Sequence, residues 1–183
     1  MASLSKINSR FEIPLTVVEG GSGIIMGVVT EADQKQLPVN VFINPRHVLR
    51  TSAVTAVKPG MVLRTPAGSH YIVGYNGPSD QPEGTIWQSW RLFEATDQLK
   101  WERRTKVTDT VTQLDRDGPL EDLGMIWVAV EMLARQLTDF RTSQNFEQSQ
   151  IITGRPVQTD DLLGGRKVTR AVIAMGITVG ALT

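Results

Sequence analysis

The chain has 183 residues, and its 19 Lys plus Arg balance 19 Asp plus Glu, so the formal charge is zero; it contains no cysteine. The charge balance argues against a protein whose main task is gripping nucleic acid, which takes a basic excess. The absence of thiols excludes disulfides, iron–sulfur clusters and zinc–thiolate sites.

At this length the chain buries roughly two-thirds or more of its unfolded surface. Residues 1–10 read as an N-terminal arm and residues 11–183 as a single mostly β domain, with a sub-boundary near 112–122. The opening sequence MASLSKINSRFEIPLTVV lacks the long apolar run of a signal peptide. The apolar end from Val168 to Thr183 is interrupted by Arg170 and is too short to span a bilayer. These features predict a soluble, non-secreted protein without membrane association.

In chain order, Phe11 to Val18 reads as an edge strand or extended segment, since Pro14 cannot donate to a ladder. Ile24 to Thr30 and Val39 to Ile43 read as strands around a polar loop, and His47 to Val57 as a less regular one. The clearest local signal is Pro59 to Gly77. Two β-rich runs flank Thr65-Pro66-Ala67-Gly68-Ser69, and Tyr71, Val73 and Tyr75 fall on one face, which predicts a half-buried hairpin. Thr85 to Phe93 carries aromatics on both faces and so reads as a strand covered on two sides. Leu99 to Val111 alternates apolar and charged residues, a strand with one solvated face. Asp115 to Pro119 reads as a turn. Leu123 to Phe140 has an apolar stripe at helical spacing but opens on the β-branched run around Trp127; strand through about Met132, with a helix after it, is the favoured reading. The architecture expected is a small β-barrel or sandwich with long loops, terminal arms and at most one or two short helices.

The chemistry-bearing motifs each yield to a plainer reading. Gly20 to Gly27, GGSGIIMG, lacks the lysine and helix start of a phosphate loop. Asp115, Asp117 and Gly118 lack the further ligands of a calcium loop. His47 and His70 are the only histidines, and they are not at metal-ligand spacing; His70, just after a turn, reads as exposed. The adjacent carboxylates Asp160-Asp161 and Glu121-Asp122 fall in loop-like stretches, where solvation keeps them from acid–base work. Trp101 with Lys100, Arg103, Arg104 and Lys106 could stack a base and meet phosphates, but Glu102 and the balanced charge favour a Trp packed inward with charges outward. No catalytic, cofactor-binding or metal-binding residue is assigned, and the chain is expected not to be an enzyme.

Val62-Leu63, Gly68 and Tyr71 have a second version in Leu162-Leu163, Gly165 and Val168. The likeness is read as convergent hairpin chemistry ahead of a true duplication.

The strings PGMVL…AGSHYIVG (59–74) and DLLGGRKVTRAV (161–172), with GMIWVAVE (124–131), resemble tailed-bacteriophage neck proteins of the head–tail joining family, the stoppers and connectors. In that family a small β-barrel ends in a hairpin of this type. The resemblance implies a virion structural protein, assembled in the host cytoplasm. It would form a homo-oligomeric ring that retains packaged DNA, meets portal or adaptor and tail proteins, and lets genomic DNA pass without sequence recognition. The arms at 1–10, 77–85 and 140–150 would order on assembly. Other readings are a capsid decoration, a tail or baseplate subunit, a stand-alone ligand-binding barrel with Trp87 and Trp90 lining a pocket, or a hydrolase with a site built from distant loops.

Overall fold

A computed structural model describes residues 11–32, 45–52, 54–76, 87–110, 115–134 and 147–183. The described residues form strands joined by turns, without a helix. The strands are β1 (Ile13–Glu19), β2 (Ile24–Glu31), β3 (His47–Ser52), β4 (Val62–Arg64), β5 (His70–Asn76) and β6 (Trp87–Glu94). They continue with β7 (Asp97–Thr108), β8 (Asp115–Ala134), β9 (Glu147–Thr153), β10 (Leu162–Leu163), β11 (Arg166–Ala174) and β12 (Ile177–Leu182). The fold is thus mainly β and barrel-forming, as expected.

There are two closed antiparallel barrels. The first runs β1-β2-β3-β6-β5-β4 and the second β7-β8-β9-β12-β11-β10, so the strand order is the same in both. The passage from one to the other is Ala95–Thr96. The Ala95 amide donates to the His70 carbonyl of the first barrel at 2.9 Å, and the Thr96 amide to the Val128 carbonyl of the second at 3.0 Å. Residues 115–122 lie instead in β8, paired with β7.

The repetition holds at the level of register. Leu49 faces Trp90 across β3–β6 and Val29 across β2–β3; Ile151 faces Gly180 across β9–β12 and Val130 across β8–β9. Val17 meets Leu63 in one barrel, and Trp101 meets Leu163 in the other. Thr51 and Thr153, equivalent by this register, are both fully buried. The turns before β4 and β10 coincide too. Gly60 and Asp160 both have positive φ, 84° and 75°. Their amides donate to the carbonyls of Val73 at 2.7 Å and Val168 at 2.8 Å. The likeness of the two hairpins is therefore part of a repeat of the whole barrel. The equivalence assigned from sequence slips by two residues on the return strand, since Val168 matches Val73 rather than Tyr71; both lie on the inward face.

Each barrel has its own interior: Leu15, Leu49, Leu63 and Trp90 in the first, Ile126, Ile151, Leu163 and Leu182 in the second. A third apolar cluster joins them, with Val62, Ile72 and Phe93 of the first barrel against Ala129, Ile152 and Ile177 of the second. Fully burying each such side chain stabilises the fold by about 1.5–3 kcal/mol. This cluster corrects the half-buried reading of the Pro59–Gly77 hairpin. Tyr71 and Val73 point into the barrel, while Ile72 on the opposite face is covered by the second barrel.

Two other expectations change. Asp115–Pro119 is not a turn but the start of β8, paired with β7 through Thr108↔Asp115 and Lys106↔Asp117. Pro119 is tolerated because it falls at the bulge where the β7–β8 register shifts between Arg104 and Lys106. The Leu123–Met132 run is strand, as favoured, through Ala134. The strand expected at Val39–Ile43, the helix after Met132 and the arms at 1–10 and 77–85 lie outside the described residues, as does most of 140–150.

Candidate functional site

The most elaborate polar arrangement is centred on Asp161, beside the turn before β10. Its side chain is 2% exposed. Oδ1 accepts from Arg103 Nε at 2.8 Å. Oδ2 accepts from Trp101 Nε1 at 2.8 Å, Arg103 Nη2 at 2.9 Å and the Gln158 amide at 2.8 Å. Arg103 also donates to the Pro156 carbonyl and lies 5.2 Å from the Trp101 ring centroid. Burial pushes the Asp161 carboxyl up, but the Arg103, Gln158 and Trp101 hydrogen bonds outweigh it and hold the group below the usual carboxylate range.

This corrects the reading of Asp160-Asp161 as solvated loop carboxylates. Asp160 is exposed and pairs with Lys167 at 2.8 Å, whereas Asp161 is buried and accepts four hydrogen bonds. A signal was present in the sequence: Trp101 and Arg103 share one face of a strand, and a buried indole N–H and guanidinium both call for an acceptor. What the sequence could not provide was the pairing of β7 with β10, which brings residues sixty apart together. The arrangement has little capacity for chemistry. Oδ2 carries three donors and Oδ1 is held by Arg103 in a buried site, so Asp161 is poorly placed to take a substrate proton. Trp101 packs inward, as expected, rather than offering its face to a base.

A second cluster lies on the seam between the barrels. The His70 ring stacks on Trp127, with centroids 3.9 Å apart and planes 16° from parallel, so His70 is a seam residue and not the exposed polar side chain expected. Burial first, then the Arg64 charge, lowers its pKa. Glu19 accepts from Arg155 of the second barrel and, at 3.4 Å, from the Trp127 amide. The Arg155 carbonyl in turn accepts from Thr178 Oγ1 at 2.6 Å.

At the centre of the seam the backbones meet directly. A Cβ on Gly154 would sit 1.8 Å from the Gly60 carbonyl oxygen, and one on Gly60 would sit 2.8 Å from that of Gly176. Asp160 shows that the Gly60 turn conformation does not itself require glycine, because Asp adopts it in the second barrel. Glycine at 60 is required by the approach of the neighbouring barrel.

His47, the other histidine, meets Tyr71 edge-on, with centroids 5.0 Å apart, on the opposite face of β5 from His70. Trp90 fills the first barrel, while Trp87, three residues away on the strand, faces outward, so the two do not line one pocket. Glu121 and Asp122 are exposed on β8, where Asp122 caps the Gly124 amide at 2.9 Å and pairs with Lys100. Among the described residues, no group of three or more His, Cys, Asp or Glu could hold a metal ion. No helix among them is long and apolar enough to cross a membrane.

No family model matches the chain, and neither a curated protein nor a solved structure matches it.

Proposed function

We propose that the chain is a virion structural protein, a ring-forming component of a bacteriophage head–tail neck that retains packaged DNA and docks the tail. The observation that supports it is the combination of two closed, well-filled barrels with large apolar side chains left on their outer surfaces. Ile24 and Met26 on the first barrel are 67% and 47% exposed, and Ile173 and Met175 on the second are 62% and 72% exposed. The interiors are filled by other apolar side chains, so these do not serve the fold of one copy; patches of this kind mark contacts with other proteins. The hydrogen-bonded carboxylates act structurally, Asp161 by tying a turn to β7 and Glu19 by tying one barrel to the other. In this reading the chain carries no catalytic task. Its partners are further copies, a portal or adaptor on one side and a tail protein on the other, with DNA passing without sequence readout.

The test is mass spectrometry of purified particles from a phage that encodes the chain, together with deletion of its gene. Stoichiometric presence of the chain, with filled heads that leak DNA or lack tails in the deletion, is the expected result. Absence of the chain from particles would overturn the reading. Its presence over the whole head surface would favour a capsid decoration instead.

A further inference from the structure

The two barrels treat the polar side chains of their interiors differently. His47, Leu49 and Thr51 share the inward face of β3, and on β6 they stand opposite Leu92, Trp90 and Gln88. By register the second barrel has Ser149, Ile151 and Thr153 of β9 opposite Leu182, Gly180 and Thr178 of β12. There both β9 hydroxyls have partners. Ser149 Oγ accepts from Arg166 Nη2 at 3.0 Å, and Thr153 Oγ1 accepts from the Arg155 amide at 3.3 Å.

In the first barrel the equivalent atoms are left over. Among the described residues, no protein group bonds His47 Nδ1, Thr51 Oγ1 or Trp90 Nε1, and all three atoms are shut off from the surface. The Thr51 residue is 0% exposed and Trp90 8%. Two replacements account for much of this. Tyr71 stands where the second barrel has Arg166, so His47 meets an aromatic ring instead of a guanidinium. Trp90 stands where the second barrel has Gly180, which adds an indole N–H to the interior. A buried donor or acceptor without a partner has given up its hydration for nothing, so three in one barrel call for an explanation.

Thr51 and Trp90 are diagonal neighbours on the inward face, because Leu49 lies opposite Trp90 and Thr51 is two residues further along. Such pairs are about 7–8 Å apart, within reach of an aromatic side chain. The Thr51 methyl carbon lies 3.1 Å from the place a Cβ on Gly27 would take, which turns the hydroxyl away from β2. The indole N–H can only donate, whereas the hydroxyl both donates and accepts. One water between them accepts from the first and bonds the second. His47 is roughly 13 Å from Thr51 along β3, too far to share that water.

We infer that the first barrel contains a binding site for a single ordered water, which accepts from Trp90 Nε1 and bridges to Thr51 Oγ1. The second barrel carries no counterpart, since Gly180 replaces the indole and Thr153 is already bonded. The site is independent of the neck reading and stands or falls without it.

The four tryptophans provide the readout in the full, unaltered chain. In water-selective NMR with assigned indole resonances, the Trp90 N–H should show a cross-peak with the sign of a long-lived water. The Trp101 N–H, which donates to Asp161, should show none. Thr51→Val keeps the side-chain shape and should abolish or strongly weaken the Trp90 cross-peak while the other indole signals stay in place. It should also lower the folding equilibrium constant about fivefold, because it removes a bonded hydroxyl. Absence of the cross-peak at Trp90 in the unaltered protein would overturn the inference. So would a Thr51→Val variant as stable as the parent or more so, the result expected of a hydroxyl that has no partner. A cross-peak that survives Thr51→Val but is lost in His47→Phe would place the water at the other end of β3 and likewise overturn the assignment.

Discussion

The two barrels solve one structural problem with opposite chemistry. Before β4, the Lys58 amide donates to Met61 Sδ at 3.1 Å, and Met61 belongs to the same buried cluster as Val17. At the equivalent place before β10, the Gln158 amide donates to Asp161 Oδ2, which also binds Trp101, the counterpart of Val17. The turn geometry is shared: the Met61 and Asp161 amides reach the carbonyls of Lys58 and Gln158 at 3.3 and 3.2 Å. A soft apolar acceptor suffices where the neighbour is Val17, while a carboxylate is needed where an indole N–H and a guanidinium must be satisfied. The comparison teaches that the Asp161 network follows from how the second barrel is packed and does not call for a substrate to explain it.

The seam offers the most damaging way to break this arrangement. Gly154→Ala drives a methyl group into the Gly60 carbonyl, backbone against backbone, and should cost about 3 kcal/mol in denaturant unfolding. Gly60→Asp, which copies the second barrel's turn into the first, should destabilise for the same reason despite its compatible φ. A neutral outcome for both would mean that the barrels are not in contact at these glycines.

Asp161→Leu should cost about 2–3 kcal/mol, less than a fully buried pair because Arg103 can turn toward water. Trp101→Val made together with Asp161→Met restores the first barrel's pairing. It should recover part of the loss, with about 1 kcal/mol or more of coupling in a double-mutant cycle. Strict additivity would show that Trp101 and Asp161 do not act as a unit.

Acid offers a gentler probe of the same difference. The Asp161 carboxyl is depressed in the folded chain, so its contribution is complete above the unfolded value of about 3.9 and is lost as pH falls through the lower folded value. Asp161→Asn should remove that part of the acid sensitivity, as read from melting temperature against pH. The smallest effect is expected at His70. Its pKa is lowered, so its contribution is present above about pH 6.5 and declines as pH falls through the folded value. His70→Phe keeps a ring on Trp127 and should flatten the profile in that window.

Much of the fold could be read from the chain because strand alternation and turn chemistry are local. The β4–β5 hairpin, the two-sided β6 and the long β7 all follow from residues within a few positions of one another. The start of β8 was misread because Asp115-Arg116-Asp117-Gly118-Pro119 has turn composition, yet pairing with Lys106 to Thr108 draws it into a ribbon. The Asp161 network and the seam were out of reach for a different reason: each depends on pairings between distant strands. The repeat was half legible. Positions 57–63 and 157–163 begin with Val and end in paired apolar residues, but the remaining strands share register with little shared sequence. Only the ladders show that Thr51 and Thr153 are the same place in the fold.

Two repeated barrels held by a buried apolar seam should unfold as one cooperative body. Scanning calorimetry of the full chain, at a concentration where it is monomeric, tests this most directly. The account predicts a single transition with equal calorimetric and van't Hoff enthalpies, which splits or broadens in Gly154→Ala. Two separate transitions in the unaltered protein would contradict it, because the barrels would then be independent units and the seam would not join them.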